Sequence, residues 1–123
     1  MYTNLQWRNA LSKILELTSK GEIVWSQHSP LTDDVWTETD RTFIAEYKGS
    51  VYGVSQVRRK HYFDEEDWAW TSDYVLNFYE RTLEGELKRI ASAPESNIIQ
   101  NIFSLAQDSY AAKRNVLGDL LGD

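Results

Sequence analysis

With 123 residues, 41% of them hydrophobic and 13% aromatic, the chain is long enough for one packed core and too apolar for a disordered segment of modest charge. Thirteen Lys and Arg against nineteen Asp and Glu leave a formal charge of −6, which opposes non-specific binding to nucleic acid or anionic lipid. The absence of cysteine excludes a disulfide framework, a thiolate nucleophile and any Cys-based zinc or iron–sulfur site.

From Asn4 to Lys20, the apolar residues Leu5, Trp7, Ala10, Leu11, Ile14, Leu15 and Leu17 recur at spacings of three and four, which predicts an amphipathic helix. Thr3 or Asn4 caps its start, and Gly21 stands where a helix ends in the left-handed conformation. Glu22 to Ser29 alternates Ile23, Trp25 and Gln27 with Val24, Ser26 and His28, the period of a short first strand that Pro30 stops. Leu31 to Asp40 carries Asp33, Asp34, Glu38 and Asp40 and reads as an exposed connection, with Val35 or Trp36 tucked back onto the core.

Arg41 to Arg59 contains two runs rich in aromatic and β-branched residues that meet at Lys48-Gly49, where glycine supplies the positive φ of a tight hairpin turn. The acidic run Asp64-Glu65-Glu66-Asp67 repels itself out to solvent and marks a second turn. Trp68 to Glu80 resumes the period of two, and Glu86 to Ile90 suits either an edge strand or a helix. Pro94 with Ser96 or Asn97 announces a final helix, whose stripe of Ile98, Ile99, Ile102, Phe103, Leu105 and Ala106 continues through Tyr110, Val116, Leu117, Leu120 and Leu121 as one helix or two. The order predicts a single α+β domain over 1–123: an antiparallel meander of four to five strands covered on one face by N- and C-terminal helices. The first residues lack the charged start and apolar run of a signal peptide, and no segment approaches about 18 uninterrupted apolar residues, so a cytoplasmic protein without membrane contact is expected.

Candidate chemistry starts with His28 and His61, since an imidazole near a carboxylate is the usual general base at neutral pH. No nucleophile-elbow pattern surrounds any serine, and an ordinary surface imidazole is the plain alternative. His61 with Asp64 to Asp67 supplies metal-ligand atoms, yet the run lacks the Asp-x-Asp-x-Asp-Gly order of a calcium loop, and no His-Glu-x-x-His occurs. The six glycines form neither a dinucleotide nor a Walker loop; Gly53 instead marks a bulge or the close approach of an aromatic ring. The triplet Arg58-Arg59-Lys60 precedes the acidic quartet by a few residues, so the two pair with each other or, with Asp33 to Asp40, the carboxylates steer a basic partner.

Trp25, Trp36, Trp68 and Trp70, with Tyr47, Tyr52, Tyr62, Tyr74 and Tyr79, exceed what a small core needs. Two helices cover only one face of a sheet, so several rings are expected on the other, where Trp and Tyr mark protein interfaces; cross-strand stacking is the plain alternative. The pattern Leu11-x-x-Ile14-Leu15-x-Leu17-Thr18-x-x-Gly21-x-Ile23-x-Trp25, followed by a hairpin and a leucine-rich helix, resembles small stand-alone bacterial or phage proteins of uncharacterised function. That resemblance implies a fold and no activity.

The leading expectation is a non-enzymatic protein-binding module, an adaptor, inhibitor or immunity-type protein, with a protein partner or a second copy and with no cofactor and no metal. The residues expected to carry binding are Tyr52, Arg58, His61, Trp68 and Trp70. The alternatives are a small enzyme using a His and a carboxylate, and an acidic mimic of nucleic acid.

Overall fold

The computed structural model describes residues 1–28 and 37–122. The order is α1 (Asn4–Ser19), β1 (Ser26–His28), β2 (Thr37–Tyr47), β3 (Ser50–Tyr62), β4 (Trp68–Arg81), β5 (Leu87–Ser92), α2 (Asn97–Lys113) and a single turn α3 (Gly118–Leu121). The five strands form one antiparallel meander in sequence order, and the helices pack on one of its faces. No helix among the described residues is long and apolar enough to cross a membrane.

Both ends of α1 are specified locally. The Thr3 hydroxyl accepts from the Gln6 N–H while the Gln6 side chain accepts from the Thr3 N–H, so two of the unsatisfied donors of the first turn are answered reciprocally. At the other end Gly21, at φ 76°, donates to the Thr18 carbonyl and Glu22 to that of Leu17, the paired bonds that close a helix through a left-handed residue. Ile23 N–H also donates to Leu17, which folds Ile23 and Trp25 back under the helix. The ladder therefore begins at Ser26, opposite Ile44, and not at Glu22 as the alternation predicts. Trp25 is fully buried, and its indole N–H donates to the Thr18 hydroxyl at 3.1 Å, which donates in turn to the Ile14 carbonyl at 2.8 Å.

Thr37 to Asp40, expected in the exposed connection, extend β2, with a register shift between Thr39 and Arg41. Val35 and Trp36 lie outside the described residues. The turn at Lys48-Gly49 has φ of 51° and 82°, the two left-handed residues that match a hairpin's twist, with Tyr47 paired to Ser50. Of the two readings of the segment after Gly85, the strand is realised as β5, at the sheet edge beside β4. Ser96 caps α2 by accepting from Ile98 N–H. That helix ends where Asn115, at φ 53°, donates to the Ala112 carbonyl and Val116 to that of Ala111. The predicted stripe stops there, and Val116, Leu117, Leu120 and Leu121 are exposed.

The core lies between the helices and one side of the sheet. Leu11, Ile14 and Leu17 of α1 meet Ile99, Ile102, Phe103 and Ala106 of α2, over Phe43, Ala45, Val54 and Leu76. Phe43 packs its ring against Phe103 at 5.5 Å and Tyr110 at 5.6 Å, and Tyr74 meets Phe103 at 5.3 Å. On the opposite side, the Thr42 and Ser55 hydroxyls share a buried hydrogen bond of 2.8 Å. The Tyr79 ring lies so closely over Gly53 that a Cβ there would stand 2.7 Å from Cε2. Gly53 is thus the site of close ring approach, as its place in a strand suggests.

Candidate functional site

Continuous pairing from Val51↔Tyr79 to Tyr62↔Trp68 fixes which side chains share a face, because alternation has a period of two. Tyr52, Val54, Gln56, Arg58, Lys60 and Tyr62 of β3 fall on the helix side, with Trp68, Trp70, Ser72, Tyr74, Leu76 and Phe78 of β4. Rings were expected on the uncovered face, and the register corrects this: among the described strand residues Tyr79 is the one Phe, Tyr or Trp on the opposite side. The aromatic surplus is on the helix side, and it runs past the end of the helix layer.

That continuation is a hairpin arm. Among the described residues β2 pairs with β3 no further than Thr37↔Arg59, and Lys60–Tyr62 pair with Trp68–Trp70. The tip is closed by Phe63 N–H donating to the Asp67 carbonyl at 2.8 Å. The Asp64 carboxylate accepts from the Glu66 and Asp67 N–H groups, both at 2.9 Å, which turns the chain with all four acidic side chains exposed.

On the helix side of the arm the Trp68 and Trp70 rings meet edge to face at 5.5 Å. The Lys60 ammonium stands 4.7 Å from the centre of Trp68 and 5.6 Å from that of Trp70, and the Arg58 guanidinium lies 5.3 Å from Trp70. Each cation faces the electron-rich surface of an indole, an attraction of about 0.5–1 kcal/mol at exposed sites. Trp68 and Trp70 remain 41% and 38% exposed, with Tyr62 at 46% and Phe63 at 65%. The arrangement presents two oriented indoles, a phenol and fixed cations as one strip.

The expected site residues divide. Arg58, Trp68 and Trp70 come together on this strip, joined by Lys60 and Tyr62, which carry the same parity and would be found by extending the alternation through the arm. Tyr52 shares their face but lies about 20 Å away along β3, half-buried and edge to face with Phe78 at 5.2 Å. It belongs to the rim of the core. His61 points to the other side, where its ring meets Phe63 at 5.0 Å. On that side Arg59 bridges to Asp73 at 3.2 Å, so the ion pair of this central arginine runs across the strands and not to the acidic tip.

His28 and His61 do not meet. His28 pairs with Thr42, which pairs with Ser55, six residues before His61, so the imidazoles are about 20 Å apart. Among the described residues no group of three or more His, Asp or Glu converges as metal ligands. The Asp33 to Asp40 half of the acidic surface falls outside the residues whose acidic side chains are described.

Two clefts lie elsewhere among the described residues. One, of about 390 Å³, lies between α1 and the β4–β5 edge and is lined by Tyr2, Gln6, Trp7, Ala10, Phe78 and Ile90. Its one amide, Gln6, is occupied in the α1 cap. The other, of about 400 Å³, is polar and sits between Asp73, Tyr74 and the start of α2. There Asp73 is held by Arg59 and by Tyr74 N–H, and Ser96 by its capping bond. The arm, by contrast, offers a patterned, outward surface. No protein family, curated protein or solved structure was found to match the chain.

Proposed function

We propose that the protein is a non-enzymatic binding module of the adaptor, inhibitor or immunity type, and that its working surface is the helix-side strip of the β3–β4 arm. The observation that carries this reading is the exposed Trp68–Trp70 pair with the Lys60 ammonium at 4.7 and 5.6 Å. Large rings in register, already ordered by one another and by cations, lose little freedom when a partner covers them. They are the side chains that dominate binding energy at protein interfaces. A partner protein supplies the flat, extended contact that such a strip fits. The alternative of a histidine enzyme has less support, because the two imidazoles stand about 20 Å apart, His28 on the edge strand level with Ser55 and His61 on the arm.

The test is quantitative capture from native lysate by wild type and by the Lys60→Ala/Trp68→Ala/Trp70→Ala variant, with melting temperature as a control for folding. Wild type is expected to retain a saturable partner that the triple variant releases. Equal retention by both proteins removes the arm from the function.

A further inference from the structure

We infer that the arm is a self-association surface on which two copies of this chain dock antiparallel about a two-fold axis near Tyr62 and Trp68, the acidic tip of each facing the Lys60 end of the other. The inference rests on the arm being the binding surface and names its occupant. Among the described residues the arm beyond Arg59 is a two-stranded ribbon, an element of at best marginal stability in water by itself. Yet this one carries three large exposed rings, Tyr62, Trp68 and Trp70, on its helix side.

Charge selects the occupant. Along the arm the exposed Lys60 ammonium stands at the base, next to Arg58, whose cross-strand neighbour is Glu38, and Asp64, Glu65, Glu66 and Asp67 stand at the tip, so the exposed charge of the strip changes sign from the Lys60 end to the tip. An acidic peptide or a phosphate backbone drawn to Lys60 would meet four carboxylates within about 17 Å, five residues of extended chain at 3.3 Å each. A basic partner drawn to the tip would meet the cations. A second copy turned end for end carries the complementary order at the same spacing by construction, which is the property of an isologous contact. Lys60 and Glu65 flank a midpoint between Tyr62 and Phe63, and the Tyr62↔Trp68 pair therefore sits at the axis. There the phenol and indole of one copy would cover those of the other, while Lys60 of each copy faces Glu65 and Glu66 of its mate. Parallel arms would oppose like charges, so polarity also fixes direction.

Sedimentation velocity across a concentration series tests this with two charge-reversed chains, Lys60→Glu and Glu65→Lys/Glu66→Lys. Wild type is expected to show a monomer–dimer equilibrium that weakens with salt, and each variant alone to dimerise about tenfold or more weakly. An equimolar mixture of the two variants is expected to recover the dimer, because each then offers the charge the other lost. The cysteine-free chain permits a second readout that does not depend on charge. Tyr62→Cys, beside the axis, is expected to form a covalent dimer under mild oxidation, and Val116→Cys, exposed and on the C-terminal segment, is not. A wild type that stays monomeric, or a mixture that recovers nothing, overturns the second copy as occupant. If the Trp variant of the capture experiment still loses a partner in that case, the arm reading survives alone; if it loses nothing, both fall.

Discussion

Strands β3 and β4 pair in one unbroken register, and their two halves differ in what lies above them. Around Val54, Leu76 and Phe78 the helix-side face is roofed by α1 and α2, and the side chains there are buried or half-buried. Around Lys60, Trp68 and Trp70 the same face, on the same strands, lies beyond the helices and every residue from Arg59 to Ser72 is exposed. The alternation is identical; the cover is not. Aromatic rings in the first half stabilise the fold by burial, and those in the second hold cations and each other at the surface. A ring's position in the pattern therefore assigns its face, and its distance from the helix layer assigns its role.

Substitutions in the two halves should separate sharply. The largest effect is expected in the roofed half, where Phe43→Ala deletes a fully buried ring that touches Phe103 and Tyr110, at a cost of about 3–5 kcal/mol in chemical denaturation. Thr18→Val is expected to cost about 1–3 kcal/mol, because it leaves the buried Trp25 indole N–H without its acceptor. Gly53→Ala tests the opposite face: the new Cβ meets the buried Tyr79 ring, and overpacking of that kind costs about 1–3 kcal/mol. In the bare half, Trp70→Ala should change stability by no more than about 1 kcal/mol, the worth of its cation contacts, while abolishing association. A loss comparable to that of Phe43→Ala would mean that the arm is part of the core and would collapse the distinction.

The smallest effect concerns the exposed Glu16–Lys20 pair at 2.9 Å on α1. The hydrogen bond from Lys20, with Lys13 nearby, holds the Glu16 carboxyl below its ordinary value. A carboxyl lowered in the folded state stabilises the fold above its unfolded pKa and ceases to as pH falls through the folded one. Glu16→Gln should therefore lower the melting temperature slightly at neutral pH and leave it unchanged once the carboxylate range has been crossed. A difference that grows on acidification would contradict the sign.

Much of the fold is legible in the sequence. Thr3 and Gly21 bounded α1, Lys48-Gly49 placed the first hairpin turn, and the self-repelling quartet Asp64 to Asp67 placed the second, since each effect acts within a few residues. Of the expected site, Arg58, Trp68 and Trp70 cohere, because cross-strand register follows from the turn between them. Tyr52 and His61 stand apart from the strip for opposite reasons. Tyr52 has the right parity but lies at the rim of the core, and His61 has the right position but the wrong parity.

What the sequence by itself determined is local: caps, turns, alternation, and hence which residues share a side of each strand. Only the tertiary structure decided where the helix layer stops. Helix length and docking angle depend on how Leu11, Ile14, Ile99, Ile102 and Phe103 interlock with one another over Phe43 and Leu76, a packing outcome with no signature at fixed sequence spacing. That boundary turns one continuous pair of strands into a core on one side and an arm on the other.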